Sequence, residues 1–180
     1  MLERLVLQRR SLSITFNDIA DELGISRSLL YAYYESVPAM LDALFLEHAR
    51  KLDDRFRPIL SASTGFRRKA IECSQVYLLY GSQSGPLLQL ILREAPGDSP
   101  LGSRSRAYFR NLLRMLARET SKGLRVSVRE AFVSLELLAS IPEALARLIR
   151  DGQIDEATAS RTCERLIGAA IASLAPTETA

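Results

Sequence analysis

Apolar residues along this chain recur at three- and four-residue intervals almost from end to end. Strand-like alternation of period two is absent, and β-branched residues are sparse. The pattern predicts an all-α protein, and the punctuation between periodic stretches divides it into about nine helices. The first runs from Leu2 to Arg10. The second opens at Thr15, which with Asp18 makes a Thr-x-x-Asp capping pattern, and closes near Leu23 at Gly24. The third starts at Ser26, a good N-cap, and ends near Tyr33. The fourth starts at Ser36, carries Pro38 in its first turn, and is expected to stop near Phe56 because of Pro58. Residues 57–64 read as a linker. Helices are then expected at about 65–82, 86–95, 103–122, 127–150 and 155–175. Gly81 to Pro86, Pro96 to Pro100, Gly123 and Gly152 separate them. Ser127 and Glu130 form a capping box. Pro142 should kink the helix that follows or split it near Ser140, and Ser140-Ile-Pro-Glu143 favours a true break.

Residues 15–34, TFNDIADELGISRSLLYAYY, carry more information than any other stretch. Two short helices crossing steeply need a small residue at the crossing and a turn residue tolerant of positive φ. Ala20 and Gly24 supply them. Both helices must also turn apolar groups inward, and Phe16, Ile19, Leu23, Ile25, Leu30 and Tyr33 are placed for that. The outer side of the second helix then presents Arg27, Ser28 and Tyr31. This is the helix-turn-helix arrangement, whose second helix enters the DNA major groove.

Charge modifies the picture. There are 24 basic and 21 acidic residues, a formal net charge of +3, too small to argue for nucleic acid by itself. Residues 1–57 hold eight basic and nine acidic side chains, net −1, and residues 58–180 hold 16 and 12, net +4. The densest basic segment, 104–129, has eight cations against the single acid Glu119. Within it Arg106, Arg110, Arg114, Arg118 and Lys122 recur every four residues along one helix face. The stripe reads as a solvated face or as an anion site for an acidic or coenzyme-linked effector.

Other chemistry is sparse. Cys73 and Cys163 sit in no CxxC or Cys/His cluster and read as small buried hydrophobes in a reducing compartment. His48 stands alone in mid-helix and reads as structural. No Ser/His/Asp set, metal-ligand cluster or phosphate-binding glycine loop is found, so an enzyme is not expected, nor a metal or cofactor. The uncharged run Leu166–Ala175 is half the length a bilayer span needs, about 20 residues. The first ten residues do not make a signal peptide, and a cytoplasmic location is expected.

The run IADELGISRSLLYAYYES followed by VPAMLDAL resembles the N-terminal domain of TetR-type transcriptional repressors, over about residues 15–45. The resemblance implies a three-helix helix-turn-helix DNA-binding domain over 1–56 and a helical effector-binding and dimerisation domain over 57–180. It implies that Ser26 caps the recognition helix and that Arg27 and Ser28 meet base edges or phosphates. It gives Tyr31, Tyr33 and Thr15 to the phosphate backbone or to bracing the helix, contacts that position without specifying sequence. Tyr34 reads as packing. Two departures reduce the expected cationic contact. Val37 stands where the family usually has Lys. The first helix is short, with Arg10 and Ser11 in place of the usual first-turn glycine. Salt dependence should be correspondingly shallow.

In the second domain the resemblance places an effector pocket within 65–122, for which Tyr77, Tyr80, Phe109, Leu112 and Met115 are candidate lining residues or core. It places a homodimer interface on the last two helices, with Leu135, Leu138, Leu166, Ile167, Ala170 and Ile171 as candidates. The same stripes would serve an intramolecular core. The expected function is therefore a ligand-responsive repressor released from a palindromic operator by a small molecule. The expected partners are double-stranded DNA, an effector and a second copy, without a membrane. The expected mechanism is a shift toward a conformation whose recognition helices are wrongly spaced for DNA, with the fourth helix as the link. The alternative is a helical ligand-binding or scaffold dimer with weak or lost DNA binding.

Overall fold

The structure, a computed structural model, describes residues 2–9, 11–85, 87 and 103–174. They form eight helices and no strand. These are α1 (Leu2–Arg9), α2 (Phe16–Leu23), α3 (Arg27–Tyr33), α4 (Val37–Ser61), α5 (Phe66–Ser84), α6 (Ser103–Leu124), α7 (Val128–Arg150) and α8 (Glu156–Leu174). The helix expected over 86–95 lies, apart from Leu87, outside the described residues. None of the described helices is long and apolar enough to cross a membrane.

Caps place the short helices and packing places the long ones. Thr15, Ser26 and Ser127 each accept a backbone N–H with their hydroxyl at a helix start. Of the four residues expected at a stop, Pro58 and Pro142 lie inside unbroken helices, while the breaks expected at Gly81 to Pro86 and at Gly123 fall after Ser84 and Leu124. Pro58 lies inside α4, which continues to Ser61 and is anchored just before the proline by buried Leu52 and Phe56. Gly81 lies inside α5, where a Cβ would come within 3.2 Å of the Ala146 Cβ. Gly123 also stays helical, and its role is close approach. A Cβ there would sit 2.1 Å from Cγ of Phe66. The turn after α6 is made instead by Arg125 at φ 56.

The other overridden proline is Pro142. α7 runs unbroken from Val128 to Arg150, so the break expected at Ser140 is absent. The proline cannot donate to the Leu138 carbonyl. It is buried, however, on the face that carries Leu145 and Ala146 into the core, and that packing outweighs one lost hydrogen bond. The Ser140 hydroxyl donates backward to the Leu137 carbonyl at 2.6 Å and caps nothing.

The chain forms two compact units. One comprises Met1–Lys51 with Pro86–Phe109, the other Leu52–Gly85 with Arg110–Ala180. In the first, Val6, Ile19, Leu41 and Phe45 are fully buried. His48 is buried there too, with Nε2 3.5 Å from a Glu3 carboxylate oxygen. In the second, α5 packs against both α7 and α8, which also pack on each other. Leu78, Leu124, Leu145, Cys163, Ile167 and Ile171 make its centre. Of the two cysteines expected to be buried, Cys163 is in the core and Cys73 is half-buried, and burial pushes both thiols up to about 11.

Candidate nucleic-acid interface

α2 is fixed at both ends. Thr15 Oγ1 accepts from the Asp18 N–H at 3.2 Å, and the Thr15 N–H donates back to Asp18 Oδ2 at 2.7 Å. The Thr15 hydroxyl also donates to that carboxylate, at 2.6 Å. Arg9, at the end of α1, pairs with the other oxygen at 2.8 Å. The Thr15 bonds, then Arg9, hold the Asp18 carboxyl down at about 2. At the far end Gly24 adopts φ 62, ψ 32, a left-handed conformation that costs glycine little, and Gly24 N–H bonds back to the Ala20 carbonyl. Ala20 is buried at the crossing, as its size requires.

α3 follows after three residues. Ser26 Oγ accepts from the Leu29 N–H at 3.2 Å. Phe16 and Leu30 are buried between the helices, with Leu23 and Ile25 half-buried beside them. Tyr33, expected in this shared core, is not there. It is 76% exposed. The aromatic that packs is Tyr31, whose ring meets Phe16 edge-to-face at 4.7 Å while the side chain remains 62% exposed. Tyr34 is half-buried, as expected of a packing residue. Arg27, Ser28 and Tyr31 share one exposed side of α3, Tyr33 is exposed on another, and Thr15 is exposed at the start of α2. That surface offers donors and aromatic hydroxyls without a carboxylate of its own.

Two features of this surface were not legible in the sequence. Asn17 on α2 accepts a hydrogen bond from Arg27 Nη1 at 3.0 Å, tying the guanidinium to the neighbouring helix. The other described cations of α1 to α3 are matched by acids, Arg4 by Glu22 at 3.1 Å and Arg9 by Asp18. Pairs across two helices follow from tertiary angle, which no sequence spacing encodes. Among the described residues of these three helices, Arg27 is the cation without an acid partner. Val37 is half-buried at the start of α4.

The candidates in the second half of the chain are dispersed. Tyr77 donates its hydroxyl to Glu143 at 2.9 Å, and buried Tyr80 lies under the Arg55 guanidinium, 5.5 Å from its ring centre. Leu112 and Phe109 are half-buried. Met115 faces outward, 40% exposed, in an open groove along α6. Among the interface candidates, Ile167 and Ile171 are buried in the protomer's own core, and Leu138 packs against it. Within the protomer these three belong to the packing shared by α5, α7 and α8. Leu135 and Ala170 are half-buried and Leu166 is exposed. Alongside them Val133, Leu137 and Leu174 expose apolar surface that periodicity alone assigned to no face.

Comparison of the backbone settles the fold. A TetR-like transcriptional regulator from Rhodococcus sp. RHA1 superposes with a TM-score of 0.70, covering 94% of this chain and 91% of its own at 18% identity. The chain has the TetR-like fold. A TetR family repressor, AlkX from Dietzia sp. strain DQ12-45-1b, implicated in biodegradation of n-alkanes, superposes over 97% of both chains at 17% identity with a TM-score of 0.49. No family model matches the sequence, and no curated protein matches it. The TetR-like fold at so low an identity means that local signals, the caps, the turn and the crossing alanine, carry the likeness legible in sequence.

Proposed function

We propose that this TetR-like chain is a DNA-binding transcriptional regulator that acts as a homodimer on a palindromic operator and is released by a small-molecule effector. The observation that supports this most is the exposed surface of α3. Its N-terminus is capped and crossed by α2, and it presents Arg27, Ser28, Tyr31 and Tyr33 free of core packing except for one edge of the Tyr31 ring. Arg27 is suited to the two acceptors of a guanine edge. Ser28, Tyr33 and Thr15 are suited to phosphates. A second copy would cover the exposed Val133 and Leu137 of α7 and Leu166 of α8, and so space two α3 helices about 34–36 Å apart for successive major grooves. Effector binding in the second unit would favour a dimer with a different spacing, and α4, which supplies residues to both units, would carry the change. Such a regulator works in the cytoplasm and is not an enzyme.

The alternative, a ligand-binding or scaffold dimer with weak DNA affinity, draws on one observation. Arg4 and Arg9 are already engaged by acids, which leaves few cations for phosphates. Selection from a random duplex pool at two salt concentrations separates the two. The regulator enriches a palindrome at both. A folded dimer that enriches no motif is the scaffold.

A further inference from the structure

α3 leaves apolar surface uncovered. Among the described residues of the first unit, the large hydrophobic side chains that stay exposed are Leu29, Tyr31 and Tyr33, all on this one helix of seven residues. Leu29 is 45% exposed, while its neighbour Leu30 is buried. At about 100° per residue, the exposed positions follow one another around α3, starting from Leu30, in the order Arg27, Tyr31, Ser28, Ala32, Leu29, Tyr33. Ser28 and Ala32 stand opposite Leu30 and are small, so the middle of this arc lets a partner come close. Arg27 and Leu29 flank that middle on opposite sides. α3 carries no carboxylate, and Arg27, its cation, donates to the Asn17 side-chain oxygen at 3.0 Å rather than to an acid.

We propose that Leu29 reads a thymine through its C5 methyl group, so that each half-site joins a guanine met by Arg27 to a thymine met by Leu29 on the other flank of the helix. This rests on the DNA-binding function proposed for α3 and adds a base that the cation does not specify. A helix that docks on protein repeats large apolar anchors along one face, and Leu29 has only Ala32 beside it one turn on. In the major groove a single apolar group is enough, because the thymine methyl is the apolar feature of that edge code. An exposed leucine gains by covering itself against a methyl group and gains nothing against a phosphate. Cytosine in the same place presents its N4 amino group, which Leu29 would desolvate without offering an acceptor, so the wrong pyrimidine is also penalised.

Deoxyuridine in place of thymine removes the methyl and alters no hydrogen-bonding group. The test measures the affinity of the full chain, by fluorescence anisotropy, for the palindrome recovered by duplex selection and for duplexes in which one symmetric pair of thymines at a time is replaced by deoxyuridine. One such pair is expected to weaken wild-type binding about tenfold, from about threefold at each half-site for one lost methyl contact. Leu29→Ala should bind the thymine duplex about tenfold more weakly and be indifferent to replacement of that pair, whereas Leu29→Met should keep the sensitivity. Arg27→Ala should lose its guanine preference and keep the deoxyuridine effect. The side chain at position 29 is exposed, so circular dichroism and melting should match the wild type in both leucine variants. A palindrome without thymine, or one whose affinity ignores every thymine methyl, overturns the role of Leu29 and leaves DNA binding by α3 standing. A deoxyuridine effect undiminished in Leu29→Ala does the same. Recovery of no palindrome overturns both, and loss of self-association in Leu29→Ala would then place the leucine in a contact between copies.

Discussion

The α2–α3 pair and the α5–α7–α8 group solve the same problem, holding helices at fixed angles, by opposite means. The short helices of the first have seven or eight residues. Helices so short are marginal alone, so their ends are specified side chain by side chain: Thr15 with Asp18, Gly24, Ser26. Little is buried between them, and most of α3 is left exposed. In the second group, helices are 19 to 23 residues long and one runs through a proline that should have broken it. Their ends matter less than the apolar surface they share. End chemistry frees a surface for recognition, whereas shared packing consumes it. The contrast extends to charge. Cations of the helix-turn-helix are mostly matched by acids across helices, while Arg114 and Arg118 of α6 are not.

The largest effects should come from the packed group. Ile167→Ala opens a cavity in a fully buried site and should cost about 3 kcal/mol, lowering the melting temperature by roughly 10 °C. Its neighbour Leu166→Ser should leave the protomer's fold intact and shift light scattering toward monomer. Equal loss of stability in the two would mean that the faces of α8 are wrongly assigned. Next is Gly123→Ala. Its methyl must displace the Phe66 ring, and the expected cost is about 2 kcal/mol in a denaturant titration. A neutral result would show that α5 and α6 are less closely packed.

Smaller effects belong to the helix ends. Thr15→Ala removes the cap of α2 and should cost about 1 kcal/mol. Asp18 sharpens the same point through pH. Its folded value of about 2 lies below the ordinary 3.8, so the stabilisation it brings is present above pH 4 and is lost as pH falls from there toward 2. Asp18→Asn should flatten that part of the acid-stability curve. A curve unchanged by the substitution would mean that the Thr15 and Arg9 bonds do not persist in solution.

The same division explains what could be foreseen. The boundaries of α2 and α3 were legible because caps and a turn glycine are local, short-range chemistry written in consecutive residues. The three-helix arrangement and the all-α class followed from them and from periodicity. Pro58 and Pro142 misled because a helix held by buried residues on either side, Leu52 and Phe56 before the first, Leu145 and Ala146 after the second, runs through a local breaker. Tyr33 misled for a related reason. Two tyrosines two residues apart stand on nearly opposite sides of a helix, and period counting alone does not fix which side turns toward Phe16. The interface candidates divided in the same way, since Leu166 and Ile167 are adjacent in sequence, yet one is exposed and the other fully buried. Asn17 and the cross-helix acid pairs had no signal at all, because they arise from the angle between α2 and its neighbours.

The central claim is that α3 reads DNA with Arg27 as its base-contacting cation, steadied by Asn17. The direct test runs duplex selection in parallel on the wild type, Arg27→Ala and Asn17→Ala. The account predicts a palindrome for the wild type. In the Arg27→Ala logo one guanine in each half-site should lose its preference while the remaining positions persist, and Asn17→Ala should blur the same position less. One well-placed bidentate contact is worth about 1–3 kcal/mol, enough to be plain in such a logo. Indistinguishable logos for wild type and Arg27→Ala would contradict the account and place base recognition elsewhere on the molecule.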